Sequence, residues 1–157
     1  MKIVEVIPNE HAAILPGYDF ADAWQASPVG MDIDLRTLAS RLGNVTPRWV
    51  RSLMKLRNFL VKPFGLVTQD KNVPMREGRV IFPVISSDDD HVVLGLNDRH
   101  LDFRLVLERG KGADGEAAIA TTLVRTHNIG GRIYLTLVKP FHRIIVPAML
   151  KQALANR

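Results

Sequence analysis

The chain contains no cysteine. Disulfides, thiolate catalysis and cysteine-ligated zinc or iron–sulfur centres are therefore excluded. Aromatic residues make up only 6%, and no recognised nucleic-acid motif accompanies the basic residues, so nucleic acid is a disfavoured partner. No window approaches about 18 uninterrupted apolar residues, the length of an ordinary membrane span. The N-terminal run Met1-Lys-Ile-Val-Glu-Val-Ile-Pro8 carries an acid and a proline and does not read as a secretory signal. A cytoplasmic location is the default expectation. A Gly-x-Ser-x-Gly elbow, a His-Glu-x-x-His helix and a Walker loop are also missing. Serine hydrolysis, zincin chemistry and ordinary NTPase chemistry thus have no residues to carry them.

Acidic residues are absent from two long stretches. Between Leu35 and Gln69 there are seven bases (Arg36, Arg41, Arg48, Arg51, Lys55, Arg57, Lys62) and no acid, and from Ala117 to the end there are six bases and no acid. The net charge is +5. The plain interpretation is solvated basic helix faces. The sharper one is a surface for an anionic partner, such as an anionic membrane.

What is present is an ordinary globular composition. At 157 residues, with 46% hydrophobic and 24% charged, the chain reads as a single domain over 1–157 with enough length for a real core. Residues 1–30 read as strand and loop, with Asp19 to Gln25 alternating weakly as a first strand. Asp32 or Asp34 caps a helix bearing Leu35, Leu38, Ala39 and Leu42, closed by Gly43-Asn44. Thr46-Pro47 starts a second helix that ends at Lys62-Pro63, giving a helix pair near residues 34–62. The period then becomes two. Arg79 to Ile85, His91 to Leu96, Leu101 to Glu108 and Ala117 to Thr126 form an antiparallel meander of four strands. A terminal helix from Ile133 to about Leu154 follows, about 33 Å long. Pro140 and Pro147 lie inside it and predict curvature or a break. The order is that of an α+β fold with helices segregated to one face of an antiparallel sheet.

Several constellations invite a chemical reading. Gly110-Lys-Gly-Ala-Asp-Gly115 matches the dinucleotide fingerprint in letters. That mechanism requires a helix immediately afterwards and an acid about 20 residues on. A β-rich run follows instead, and no acid occurs after Glu116, so a glycine-rich hairpin loop is predicted. Asp88-Asp-Asp-His91 reads as a solvated loop, lacking the ordered spacing of a calcium site. His100, Asp102 and Arg104 alternate along one strand and share a face. They fit the wet side of a strand, or an acid–base pair. Arg125 and His127 also share a face, and His142 sits on the terminal helix among apolar neighbours. No metal and no cofactor are expected.

Several stretches resemble a bacterial family of domains of unknown function, domain of unknown function 2867. They are Leu15-Pro-Gly-Tyr-Asp-Phe-Ala-Asp-Ala23, Pro47-Arg-Trp-Val50 with Leu56-Arg57 and Pro63-Phe-Gly65, Val93-Leu-Gly with Asp98-Arg-His-Leu-Asp-Phe-Arg104, and Val124-Arg-Thr-His-Asn128 with Pro140-Phe-His-Arg143. The resemblance spans about residues 15–150. It implies no established activity, and it suggests a dehydrogenase-like protein as a partner. The element order is also similar to the helix-grip layout of the START and Bet v 1-like superfamily. There a curved antiparallel sheet grips a long C-terminal helix over an apolar cavity. Members bind lipids, sterols or polyketides, and some are cyclases or aromatase-like enzymes.

The expected function is therefore a module for a small hydrophobic or amphipathic ligand held between sheet and terminal helix. Leu94, Leu96, Leu101, Phe103 and Leu123 are expected to face Phe141 and Ile145, with Arg125, His127, His142 and His100 supplying a polar end suited to a carboxylate or phosphate head group. A cyclase, dehydratase or isomerase using His100, His127 or His142 is the second reading, less favoured than simple binding. The third is a filled-core interaction domain that meets its partner through basic helices.

Overall fold

The computed structural model describes residues 1–9, 11, 13–30, 34–44, 48, 52, 56, 59, 75–76, 79–80, 83–97 and 100–155. Alternating runs of Val, Ile, Leu, Thr and Ala pair as strands: β1 (Lys2–Val6), β2 (Phe20–Ser27), β3 (Met75–Arg76), β4 (Arg79–Val80), β5 (Val84–Ser87), β6 (His91–Asn97), β7 (Leu101–Gly112) and β8 (Gly115–Thr126). Two helices, α1 (Leu35–Asn44) and α2 (Ile129–Ala155), complete the described elements. Six strands form one open antiparallel sheet in the order β1-β2-β8-β7-β6-β5, and β3 pairs with β4. The arrangement is α+β and helix-grip-like, a sheet packed on a long C-terminal helix.

The expected meander and the expected glycine-rich hairpin are present, and the N-terminal run adds a strand. Lys2–Val6 forms an edge strand against β2, registered Lys2↔Ser27 to Val6↔Ala23. Lys2 and Glu5, the charged residues of this short strand, lie on a sheet edge, where they are tolerated. The glycine-rich segment is a tight hairpin in which Gly112 pairs with Gly115. Gly115 has φ +133°, a conformation that suits glycine alone. Strand β8 follows directly, so the helix that a dinucleotide site requires is absent there.

The helix ends obey local chemistry. Asp34 caps α1: its carboxylate accepts the Thr37 hydroxyl at 2.7 Å and the Arg36 and Thr37 amides at 3.3 Å each. The second helix of the expected pair lies largely outside the described residues. Arg48, Ser52, Leu56 and Phe59 are helical and exposed, on a spacing that places them on one helix face. The terminal helix begins at Ile129, earlier than the Gly130-Gly131 pair suggests. Asn128 is its cap, and Asn128 Oδ1 accepts the Gly131 amide at 2.9 Å. Glycine at 131 lets the helix start lie against the turn before β7, since a Cβ there would sit 2.1 Å from the His100 carbonyl oxygen. The helix runs unbroken through Pro140 and Pro147.

The sheet has two covered faces. On one, Leu35, Leu38, Ala39 and Leu42 of α1 and Leu150, Ala153 and Leu154 of α2 pack on Ala26, Val92, Leu94, Leu107, Ala118 and Ala120. The alanines on β2 and β8 let the helix backbone approach closely. Each fully buried leucine, such as Leu38, Leu107 and Leu150, is worth about 1.5–3 kcal/mol. On the other face the segment around Leu15, with Ile14 and Tyr18, covers Ala21, Val93, Val106 and Leu123. Leu123 therefore belongs to the face away from α2, contrary to its expected place opposite Phe141 and Ile145.

Candidate functional site

Strand parity decides which side chains meet α2. Phe20, Asp22, Trp24 and Ala26 of β2 are in phase, and their β8 partners are Val124, Thr122, Ala120 and Ala118. The next strand continues the rows with Phe103, Leu105 and Leu107. Ala26, Ala118, Ala120 and Leu107 lie in the helix-packed core, so the whole set faces the helices. At the Ala26 end this space is filled by α1 and the last turns of α2. Further along, Phe20, Phe103 and Leu105 on the sheet and Ile133, Leu137, Phe141 and Ile145 on α2 are only half-buried.

Into that stretch the sheet directs polar groups. Asp22 Oδ1 lies 3.0 Å from His142 Nε2 on α2, and both side chains are largely buried. The His142 ring meets Phe20 edge-on, with centroids 6.0 Å apart, and Lys139 Nζ stands 5.2 Å from the centre of the same Phe20 ring. Beside this pair, Asp22 Oδ2, Trp24 Nε1 and Thr122 Oγ1 are shielded from solvent and have no hydrogen-bond partner among the described residues. Asp22 and Thr122 are directly opposite across β2 and β8, where Cβ atoms stand about 4.5–5.5 Å apart. Trp24 is the next residue along that face. An unsatisfied buried polar group costs about 1–3 kcal/mol. Three gathered on adjacent strands call for an explanation.

The other predicted site residues are distributed differently. Arg125 and His127 do not line the helix side. Their parity places them on the opposite face, where they hold the buried Asp102. Arg125 Nη2 donates to Asp102 Oδ2 at 2.5 Å, His127 Nε2 lies 3.0 Å from Asp102 Oδ1, and Arg125 Nη1 donates to the Pro16 carbonyl at 2.8 Å. Burial pushes the Asp102 carboxyl up, but the hydrogen bonds from His127 and Arg125 and their charges outweigh it, leaving Asp102 below the usual aspartate range. The cluster ties the Pro16 turn to β7 and β8. His100 belongs to neither site. Its Nδ1 is 3.3 Å from Asn128 Oδ1 at the start of α2, and its Nε2 is buried without a partner among the described residues. Of the predicted residues, His142 meets the helix-facing side of the sheet, at Asp22 and Phe20; Phe103 shares that sheet face by register, and Phe141 and Ile145 are half-buried on α2.

A further cluster lies on the Leu15 face. Buried Glu108 accepts Asn9 Nδ2 at 2.8 Å, with His11 Nε2 at 3.4 Å and His91 Nε2 at 3.3 Å. Asp88 caps its own loop through the Asp90 and His91 amides, 2.8 Å each, and those amides hold its carboxyl below the usual range. Among the described residues no group of three or more His, Asp or Glu is arranged to hold a metal ion.

Residues 14–149 match the family described as protein of unknown function DUF2867. The chain belongs to that family. No curated protein matches it significantly, and neither does any solved structure. The matched span contains Asp22, Trp24, Thr122 and His142, so the polar group under α2 lies wholly inside the family domain.

The sequence reading passed over Asp22, Trp24 and Thr122. The available signal was phase. Asp22 alternates with Phe20 and Trp24, and Thr122 with Ala120 and Val124, so each is a polar member of an otherwise apolar strand face.

Proposed function

We propose that this protein is a binding module for a small hydrophobic or amphipathic molecule held between the sheet and α2. The observation that carries the reading is the set Asp22 Oδ2, Trp24 Nε1 and Thr122 Oγ1, buried and unpartnered beneath half-buried apolar side chains of the terminal helix. Ligand sites combine apolar walls with a few convergent polar groups. The walls here are Phe20, Phe103, Leu105, Phe141 and Ile145, and the convergent groups are those three with His142. The helix-grip-like order of elements adds the analogy to START and Bet v 1-like domains, which is a fold-level prior only.

One observation favours a second reading. The Asp22–His142 pair, 3.0 Å apart, is a carboxyl–imidazole unit of the kind used in acid–base chemistry. A cyclase, dehydratase or isomerase would use His142 as the acid–base group and Asp22 to orient it.

Native mass spectrometry of the full chain, joined to a titration with the neutral fluorescent probe N-phenyl-1-naphthylamine, tests the binding reading. A co-purifying small molecule, or saturable probe binding at one site, is expected. The absence of both refutes it and leaves the filled-core interaction domain in its place.

A further inference from the structure

We infer that the ligand's polar end is an uncharged hydroxyl group, seated on Asp22, Trp24 and Thr122, and that carboxylate amphiphiles are excluded. The inference rests on the proposal that α2 and the sheet enclose a ligand, and it revises the head group expected from sequence. A carboxylate or phosphate end was expected because Arg125 and His127 were placed at the mouth. Both lie on the opposite face, committed to Asp102. The charged groups around the polar set on the helix side are Asp22 itself, 8% exposed at its side chain, its partner His142, and the Glu5–Arg143 pair at 3.1 Å, in which Glu5 stands opposite Trp24 and is engaged with the Arg143 guanidinium. Lys139 is exposed and set over the Phe20 ring.

Hydrogen-bond inventory then selects the chemistry. Asp22 Oδ2 is an acceptor, the Trp24 indole N–H is a donor with no acceptor capacity, and the Thr122 hydroxyl serves either way. A carboxylate offers only lone pairs. It would satisfy Trp24 and set a second anion against Asp22, in surroundings too dry to screen the repulsion. An ammonium offers only donors. It would satisfy Asp22 and leave the Trp24 N–H orphaned. A hydroxyl does both: its hydrogen goes to Asp22 Oδ2, and its oxygen accepts from Trp24 Nε1, with Thr122 completing the shell. Asp22 and Thr122 occupy directly opposed positions, with Trp24 next along the same face, so one oxygen atom is a suitable size of target.

The test compares three twelve-carbon ligands, 1-dodecanol, dodecanoate and dodecylammonium, by displacement of N-phenyl-1-naphthylamine from the full chain at pH 8. The alcohol is expected to bind at least about tenfold more tightly than either ion, since a hydrogen bond to a charged group decides about one to two powers of ten. Trp24→Phe and Thr122→Val remove one polar atom each and keep most of the volume. Both should weaken the alcohol severalfold, and by a larger factor than they weaken the neutral probe. Asp22→Asn should narrow the gap between alcohol and carboxylate. The Trp24 indole N–H resonance should shift on adding alcohol. Dodecanoate or dodecylammonium binding as tightly as the alcohol overturns the head-group assignment while the binding reading survives. So does an alcohol affinity indifferent to both Trp24→Phe and Thr122→Val. Failure of the probe itself to bind removes both.

Discussion

Replacing Gly131 by alanine should destabilise the fold even though alanine is the better helix former. Propensity favours alanine by about 1 kcal/mol in a helix interior. Against this, the new Cβ would lie 2.1 Å from the His100 carbonyl oxygen and 3.0 Å from its carbon, both backbone atoms. That carbonyl also accepts the His127 amide at 2.9 Å, and His127 holds Asp102. Reaching even the lower edge of ordinary contact, 3.4 Å, requires the start of α2 to retreat by about 1.3 Å from the turn before β7. Overpacking of this kind costs about 1–3 kcal/mol, and strain on the His127 hydrogen bond adds about 1 kcal/mol. The net loss is about 1–3 kcal/mol, which for a domain of this size lowers Tm by about 3–10 °C. Gly130→Ala is the matched control. Its Cβ would meet Asn128 Oδ1 and His100 Nδ1, each at 3.2 Å, and both belong to side chains that can yield. That variant should stay within about 1 kcal/mol of the parent. Thermal melts of the three proteins followed by circular dichroism decide the matter. A Gly131→Ala protein melting at or above the parent would refute the close-approach argument.

The remaining predictions concern the core, the carboxylates Asp19 and Asp102, and the cluster around Asp102. A chain ending at Gly131 should show no cooperative thermal transition, because it loses Leu150, Ala153 and Leu154 from the main core; a truncated protein melting near the parent would contradict this. Stability should decline with acid, because Asp19 and Asp102 are both held below the usual aspartate range. In each, burial pushes upward and is outweighed by hydrogen bonds, from Thr126 to Asp19 and from His127 and Arg125 to Asp102. The unfolded chain then takes up protons first, so this stability is complete above about pH 4 and is lost as pH falls through the lowered folded values. Urea midpoints that stay flat from pH 6 to pH 3 would contradict it. Asp102→Asn should cost about 1–3 kcal/mol and leave N-phenyl-1-naphthylamine affinity unchanged, since the cluster faces away from α2; lost probe binding in a folded variant would return Arg125 and His127 to the ligand site.

The architecture was legible because its signals are local. Asp34 before Leu35, Asn128 before the terminal helix, and the period-two runs of β6, β7 and β8 each carry their own chemistry. The edge strand Lys2–Val6 was legible only as part of a strand-and-loop segment, because five residues that include Lys2 and Glu5 carry a weak strand signal, as a short edge does. The site was half legible, and the reason is sidedness. Period two assigns Arg125, His127 and Leu123 to one face of β8 and Thr122, Ala120 and Val124 to the other, but it does not say which face receives the helix. Both faces of this sheet carry apolar residues, one set covered by α1 and α2 and the other by the Leu15 segment. The composition of β8 alone therefore left the choice open. The packing decides it: Ala26, Ala118 and Ala120 meet the helices, whereas Ala21, Val106 and Leu123 meet the Leu15 segment. With the helix side assigned, Asp22, Trp24 and Thr122 fall on it by phase, and the polar end of the proposed site moves from cations to a carboxyl, an indole N–H and a hydroxyl. That reversal of electrostatic character, made by a single choice of sheet face, is what turns an expected anion receptor into the site proposed for a neutral hydroxyl.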